Sequence, residues 1–361
     1  MPTLLNNILT LIFIILMLYI ILNNSYTPVT LISLILLGVI ISYTYLKTNN
    51  YYIISSFLLI FAMKNIDLNR TLKLMYTTKF IFLAVHIIAY FISLVYFPDS
   101  ISYVYRDGIK RQNFFIGHPN TFAMIAYWCM FEFIYVKYKK LKDFHFILFI
   151  ILSYLINCYT DSNTGFLIFI FVIIAVFLDK KNVHIEKVII RFLAKYGFAF
   201  FSIFFSLITI FYSNLSGIAL ELYNKLDKYL TNRLIYGAFA YDKYGLTFFG
   251  KSLYFDDKVQ WHTYWFDGMT FDNTFLWILV AFGVFYLIIL SIGFYLFSKN
   301  ASNIQCIFVV AYTLYAIMES YVLNAVLCFP LLFLGLFVFN DKKSSPIKCK
   351  SPQNYNSLKY W

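Results

Sequence analysis

Apolar runs long enough to cross a bilayer recur along the whole chain, separated by short polar connections. They fall at about 4–22, 27–46, 51–63, 76–97, 119–136, 144–159, 164–178, 192–212, 273–297, 303–319 and 321–340. A hydrocarbon core about 30 Å thick takes about 20 apolar residues in a helix, so the pattern predicts about eleven spans, with ten or twelve allowed by the close spacing of the first three. The first run, Leu4 to Leu22, has no basic segment before it and no small-residue cleavage site after it, and is expected to be a retained helix. The fold class expected is an all-α polytopic membrane protein with one large outer loop. Residues 1–340 form a single transmembrane helical domain, and 341–361 a polar, basic cytoplasmic tail. The outer-face loop, 213–272, is longer than a connection requires. Within it Leu220, Tyr223, Leu226, Tyr229 and Leu230 fall on one helical face, and Glu221, Lys225, Asp227, Lys228 and Asn232 on the other. That spacing predicts an amphipathic interfacial helix, followed by a second from Asn232 to Tyr244 that stops at Gly245.

Composition agrees with lipid as the solvent. Hydrophobic residues make up 61% of the chain and charged residues 13%, against roughly 25% charged in soluble domains. The net charge of +12 invites a nucleic-acid reading until the charges are placed. Nineteen of the 29 Lys and Arg residues fall in one set of loops and the tail, among them Lys64, Lys139, Lys181 and Lys299. The positive-inside rule puts that set in the cytoplasm, so the excess is topological and implies no nucleic-acid partner. Four of the five cysteines fall in apolar runs and Cys349 in the tail. No disulfide framework or metal spacing follows from them.

The polar residues outside the spans concentrate in two segments of the opposite, outer side. One runs from Pro98 to His118 and contains Arg106 and Arg111. The other contains Asp256, Asp257, Trp261, His262, Trp265, Asp267 and Asp272. Aromatic rings flanked by carboxylates suit sugars, which present apolar faces rimmed by hydroxyls. Any one of these aromatics is equally at home in an interfacial belt. Asp256 and Asp257 are adjacent carboxylates of a kind that can hold a divalent ion, but the expectation is of no metal and no cofactor.

Five short motifs then follow in order. GHPNTFA at Gly117 to Ala123, preceded by Arg111, resembles the "R…G-x-x-H-P-N" segment of Wzy-type capsule and O-antigen polymerases. TDSNTGFL at Thr160 to Leu167 resembles their "T-x-S-R-T-G" turn, with Asn163 where the family has Arg. Asn232 to Gly250 resembles a stretch in which an Arg opens a helix that ends in Gly. FDNTFLWILVAFG at Phe271 to Gly283 resembles a "D-N-x-Y/F" return into the membrane, and Glu319 and Asn324 match a late Glu and Asn. The resemblance spans roughly residues 60 to 340.

It implies a metal-independent glycosyltransferase in the bacterial cytoplasmic (inner) membrane. Such an enzyme joins undecaprenyl-pyrophosphate-linked oligosaccharide repeat units into O-antigen, capsular or exopolysaccharide at the outer face. A chain-length regulator and a flippase are the companion proteins implied. The pyrophosphate leaving group calls for arginine, which singles out Arg111 and Arg233, with Arg106 as a further contact. The acceptor hydroxyl calls for a base, for which His262, Asp272 and Glu319 are available. His118 and Asn120 are expected to touch substrate, as are Asp256, Asp257, Trp261, Trp265 and Asp267. The plain alternatives are a lipid-headgroup anchor for the arginines, a helix cap for His118 and a salt bridge for Glu319. His86, in mid-span, reads as an interhelical hydrogen-bonding residue. Two other functions compete: O-antigen ligase chemistry with a different acceptor, and a lipid-linked oligosaccharide flippase. The flippase reading predicts internal repeats and broken or charged helices near the midplane.

Overall fold

The computed structural model describes residues 2–106, 108–254, 258–261, 264–267 and 271–339. The chain is predominantly helical. Helices α1 (Pro2–Leu22), α2 (Pro28–Thr48), α3 (Tyr51–Ala62) and α4 (Leu68–Tyr96) lead to a small hairpin of β1 (Tyr103–Arg106) and β2 (Ile109–Gln112). Helices α5 (Pro119–Lys137), α6 (Asp143–Thr160), α7 (Asn163–Lys180) and α8 (His184–Phe211) follow, then the shorter α9 (Gly217–Tyr229) and α10 (Arg233–Tyr244). A second hairpin, β3 (Lys258–Trp261) and β4 (Tyr264–Asp267), precedes α11 (Thr274–Trp277), α12 (Val284–Asn300), α13 (Asn303–Met318) and α14 (Leu332–Val338). The two hairpins are a departure from a purely helical chain. Both are antiparallel, with Tyr103 opposite Gln112 and Lys258 opposite Asp267.

Among the described residues five helices, α2, α4, α6, α7 and α8, are long and apolar enough to cross a membrane. Their outward faces are apolar rather than polar: Leu46, Leu74, Val95, Ile185 and Phe200 are all exposed. A surface of that kind suits lipid, because in water so large an apolar patch would drive association. The interior is built by α5 and α13, whose Tyr127, Trp128, Phe131, Phe308, Tyr312 and Tyr315 are fully buried. Gly165 lets α7 come close to them: a Cβ there would meet the Tyr127 ring at 2.8 Å.

The helix ends sort to two poles. Lys180 donates to the carbonyls of Tyr138 and Leu141, Lys181 pairs with Asp143 at 3.4 Å, and Asn303 donates to Asp179 at 2.9 Å. These contacts gather the α5–α6, α7–α8 and α12–α13 connections at one lysine-rich pole. The hairpin β1–β2, the α6–α7 turn and the starts of α5 and α11 meet at the other.

Two expected spans are not continuous helices. The run 273–297 breaks at Gly283, where a π turn (Ile278–Phe282) ends and α12 begins. Gly283 has φ 95° and a Cβ there would lie 2.5 Å from the Phe248 carbonyl oxygen, so only glycine fits. Backbone polar groups freed by the break are paired by a neighbouring extended segment. Val284 N–H donates to Thr247, Phe285 N–H to Phe248, and Lys251 N–H to Ala281. The run 321–340 is irregular as far as Leu331 and helical only over α14. Its carbonyls are held from outside: Ser56 donates to Leu323, and Lys79 Nζ to Leu327 at 3.0 Å. Irregular backbone is tolerated in a bundle when its polar groups are satisfied in this way.

Lys79 also pairs with Glu132, and both are buried between α4 and α5. Lys79 is one of the nineteen basic residues counted on the cytoplasmic side, and Glu132 is an acidic residue counted there, but neither is a loop charge at the lysine-rich pole. The pair is neutral in sum, so it leaves the asymmetry of the remaining charges unchanged. Removing one partner of such a pair costs about 3–5 kcal/mol, because the other is left buried and uncompensated.

Candidate functional site

The site is best built outward from the turn between α6 and α7. Asp161 ends α6 in the left-handed region, at φ 48°, and Asn163 closes the turn by donating to Asp161 Oδ1 at 3.0 Å. The turn has no arginine of its own, yet two reach it from the β1–β2 hairpin. Arg106 pairs with the Asp161 carboxylate and also donates to its carbonyl at 2.9 Å. Arg111 Nε donates to the Thr160 carbonyl at 2.7 Å, and Nη2 to Asn120 Oδ1 at 2.5 Å. Arg111 is only 3% exposed. Its first role is therefore to tie the hairpin to α6 and to the start of α5.

His118 is the N-cap of α5: its Nδ1 accepts from Asn120 N–H at 3.2 Å, and Pro119 occupies the first helical position. Burial, reinforced by the positive charge of Arg111, pulls its pKa below the ordinary histidine value. His86 Nδ1 meets the Phe114 carbonyl oxygen at 3.0 Å, in the segment between β2 and α5 rather than on a neighbouring helix.

Opposite this face lie α10 and α11. Helix α10 runs from Arg233 to Tyr244 with Gly245 as its C-cap, close to the expected span. Its first N–H groups are capped by Asp227 of α9, whose Oδ1 accepts from Leu234 at 2.8 Å and Ile235 at 3.3 Å. Asp227 is therefore buried rather than on the polar face assigned to it, while Tyr229, assigned to the apolar face, is exposed. The cap fixes where Arg233 stands.

The Arg233 guanidinium is incompletely satisfied. Nη1 donates to the Leu230 carbonyl and to Thr231, and Nη2 lies 3.5 Å from Asp272 Oδ2. Its Nε is buried with no hydrogen-bond partner among the described residues. A buried donor without a partner is costly, and an arriving anion would relieve it.

Asp272 precedes Asn273, the N-cap of α11, whose Oδ1 accepts from Leu276 at 3.1 Å. Thr274 donates to the Glu319 carbonyl at 2.5 Å and so joins the α11 start to the end of α13. Glu319 lies one residue past that helix and is 7% exposed. Among the described residues it makes no ion pair, so the plain alternative of a salt bridge is not what the structure shows; Asp272 is the partner of Arg233. Burial, then the negative charge of Asp272, raises the Glu319 pKa to about 8, against the pull of Arg233 and Arg111. Burial raises Asp272 as well, opposed by Arg233 and His118. Six residues from five separate stretches of sequence thus converge: Arg111, His118, Asn120, Arg233, Asp272 and Glu319.

A testable consequence concerns Glu319. Because its folded pKa lies above the ordinary value of 4.5, the folded state holds a proton that the unfolded chain releases. Stability should therefore fall as pH rises from about 4.5 through about 8. Thermal melts of purified protein across that range should show the decline, and Glu319→Gln should flatten its upper part. An unchanged slope in Glu319→Gln would mean that another group sets it.

The rest of the expected set fares differently. Asp256, Asp257 and His262 lie outside the described residues, as do the side chains of Trp265 and Asp267. Trp261 Nε1 donates to Asp242 at 2.9 Å, and its ring sits 5.5 Å from Tyr212 and 5.7 Å from Phe239. Asn324 closes a local turn by accepting from Val326 N–H. No cluster of His, Cys, Asp and Glu suited to a metal occurs among the described residues. Asp227 and Thr274 were missed by sequence reasoning. The D-N-T order at 272–274 does carry a helix-start signal, whereas Asp227 caps a helix that begins six residues later and gives no local one.

Two cavities adjoin this site. One, of about 360 Å³, is lined by Thr48, Asn50, Lys251, Asp272, Trp277 and Tyr321. The other, of about 600 Å³, is almost wholly apolar and runs between α2, α3, α12 and α14. Tyr52, which lines the apolar cavity, and Trp277, which lines the polar one, have rings 6.2 Å apart. Comparison of the chain with protein families, with curated proteins and with solved structures finds no match to any of them.

Proposed function

We propose that this chain is a glycosyltransferase of the bacterial cytoplasmic membrane that polymerises undecaprenyl-pyrophosphate-linked repeat units into a surface polysaccharide. In this reading about eleven segments cross the membrane, the lysine-rich pole faces the cytoplasm, and the hairpin pole with the 213–272 loop faces outward. The observation that carries the proposal is the meeting of Arg233, Asp272 and Glu319 with Arg111, His118 and Asn120 at one pole. The apolar cavity beside them supports a substrate with a long hydrocarbon chain.

The reaction requires a new bond from an acceptor hydroxyl oxygen to the donor's anomeric carbon. The bond from that carbon to the pyrophosphate breaks, and its electron pair leaves with the pyrophosphate. Arg233, with an unpartnered Nε and only a long contact at Nη2, is the group placed to receive that charge. Asp272 is the base: its side chain is 40% exposed and lines the polar cavity, where it can take the hydroxyl proton. Glu319 acts through Asp272 and Arg233. Arg111 and His118 hold the frame, and no nucleotide is needed because the leaving group is built into the donor.

A second reading, a transporter for lipid-linked oligosaccharide, is favoured by the two broken helices and the buried Lys79–Glu132 pair. Deleting the gene separates the two. Loss of a polymerase should leave single repeat units on the lipid carrier, accessible at the outer face to an impermeant label. Units trapped facing the cytoplasm would replace this proposal with the transporter.

A further inference from the structure

The polar cavity next to Asp272 uses residues to which the resemblance assigns no role. Its walls come from the α2–α3 turn (Thr48, Asn50), the extended segment before β3 (Lys251, Leu253), the two flanks of α11 (Phe271 before it, Trp277 at its end) and the residues after Glu319 (Ser320, Tyr321). The mixture is specific in character: aromatic faces from Phe271, Trp277 and Tyr321 alternate with hydroxyl, amide, ammonium and carboxylate groups. A ligand that satisfies both must have apolar faces and a polar rim. At about 360 Å³ the space is at the small end of ligand cavities, which begin near 300 Å³. It admits one or two rings rather than an oligosaccharide.

The polar groups retain capacity for a ligand. Asn50 Oδ1 accepts from Tyr52 N–H at 3.0 Å, which leaves its Nδ2 to donate. Lys251 has no carboxylate within ion-pair distance among the described residues. Asp272 belongs both to this cavity and, through Arg233, to the cationic side of the site. This arrangement separates the two halves of a glycosyl transfer. The donor's reacting carbon carries a pyrophosphate and must lie by Arg233. The acceptor presents a neutral hydroxyl that must lie by the base, on the cavity side.

We infer that the cavity bounded by Asn50, Lys251, Trp277 and Ser320 is the acceptor subsite, holding the terminal sugar ring of the incoming glycan with a hydroxyl turned to Asp272. The inference rests on the glycosyltransferase reading, since that reading supplies the acceptor. Its test is kept separate from turnover. Short oligosaccharides obtained by partial hydrolysis of the host's surface polysaccharide, which carry neither lipid nor pyrophosphate, are titrated into purified protein in detergent by calorimetry. The wild type should bind them. Asn50→Ala should weaken binding about tenfold, the loss of one buried hydrogen bond, and Ser320→Leu, which fills the cavity, should abolish it. Arg233→Lys, on the donor side, should leave it unchanged. Melting curves of each variant exclude loss of fold. Absence of binding to the wild type, or equal binding by Asn50→Ala and Ser320→Leu, would overturn the assignment. Failure of the glycosyltransferase reading itself would appear elsewhere, as normal polymer in a strain lacking the chain.

Discussion

Arg233→Ala is expected to lower polymer formation by about 100- to 1000-fold, the usual cost of removing one donor aimed at developing charge. The expectation follows from the unusual state of this guanidinium. Its Nε is buried without a partner among the described residues, and its contact to Asp272 is long, at 3.5 Å. An ordinary structural arginine would be saturated, as Arg111 nearly is through Thr160 and Asn120. Arg233→Lys keeps the charge but loses the planar fork, so it should recover little. The Nη1 contacts to Leu230 and Thr231 also brace the turn between α9 and α10. Protein level and melting temperature must therefore be measured beside activity. Full polymer from Arg233→Lys, with unchanged stability, would reduce Arg233 to a brace.

Asp272→Asn is expected to lower kcat by about 100-fold or more, the contribution of a positioned general base. KM for the lipid-linked donor should not rise, because the substitution removes the counter-charge that occupies Arg233 Nη2. A structural role alone would not divide the two constants in this way. The variant should also lower the Glu319 pKa, since the negative charge of Asp272 is the second cause that raises it. A rise in KM with kcat unchanged would place Asp272 in substrate binding and leave the base elsewhere.

Much of this site was legible before the structure, for identifiable reasons. Helix α10 was readable because Arg233 follows a polar stretch and Gly245 ends the run, both local signals. His118 was readable as a cap because a His-Pro-Asn order places proline at the first helical position. The breaks in the last spans were not. Hydropathy registers side chains, and both broken runs are predominantly apolar. The break at Gly283 depends on backbone approach from Phe248, thirty-five residues earlier, which no local pattern records. The same holds for Lys79, whose partner Glu132 lies on another helix, and for Asp272, which lies 39 residues from its partner Arg233. The polar cavity escaped the sequence because four distant segments build it, and only the Phe271–Ala281 stretch among them belongs to a motif.

The most direct test of the central claim is elongation by the purified protein. Protein in detergent is supplied with lipid-linked repeat units from the deletion strain, without nucleotide, with and without a chelator. Glycans of two or more repeat units should accumulate in both cases, and Arg233→Ala should yield none. Elongation that stops with the chelator would discard the metal-free mechanism, and no elongation under any condition, with or without added divalent ions, would contradict the claim itself.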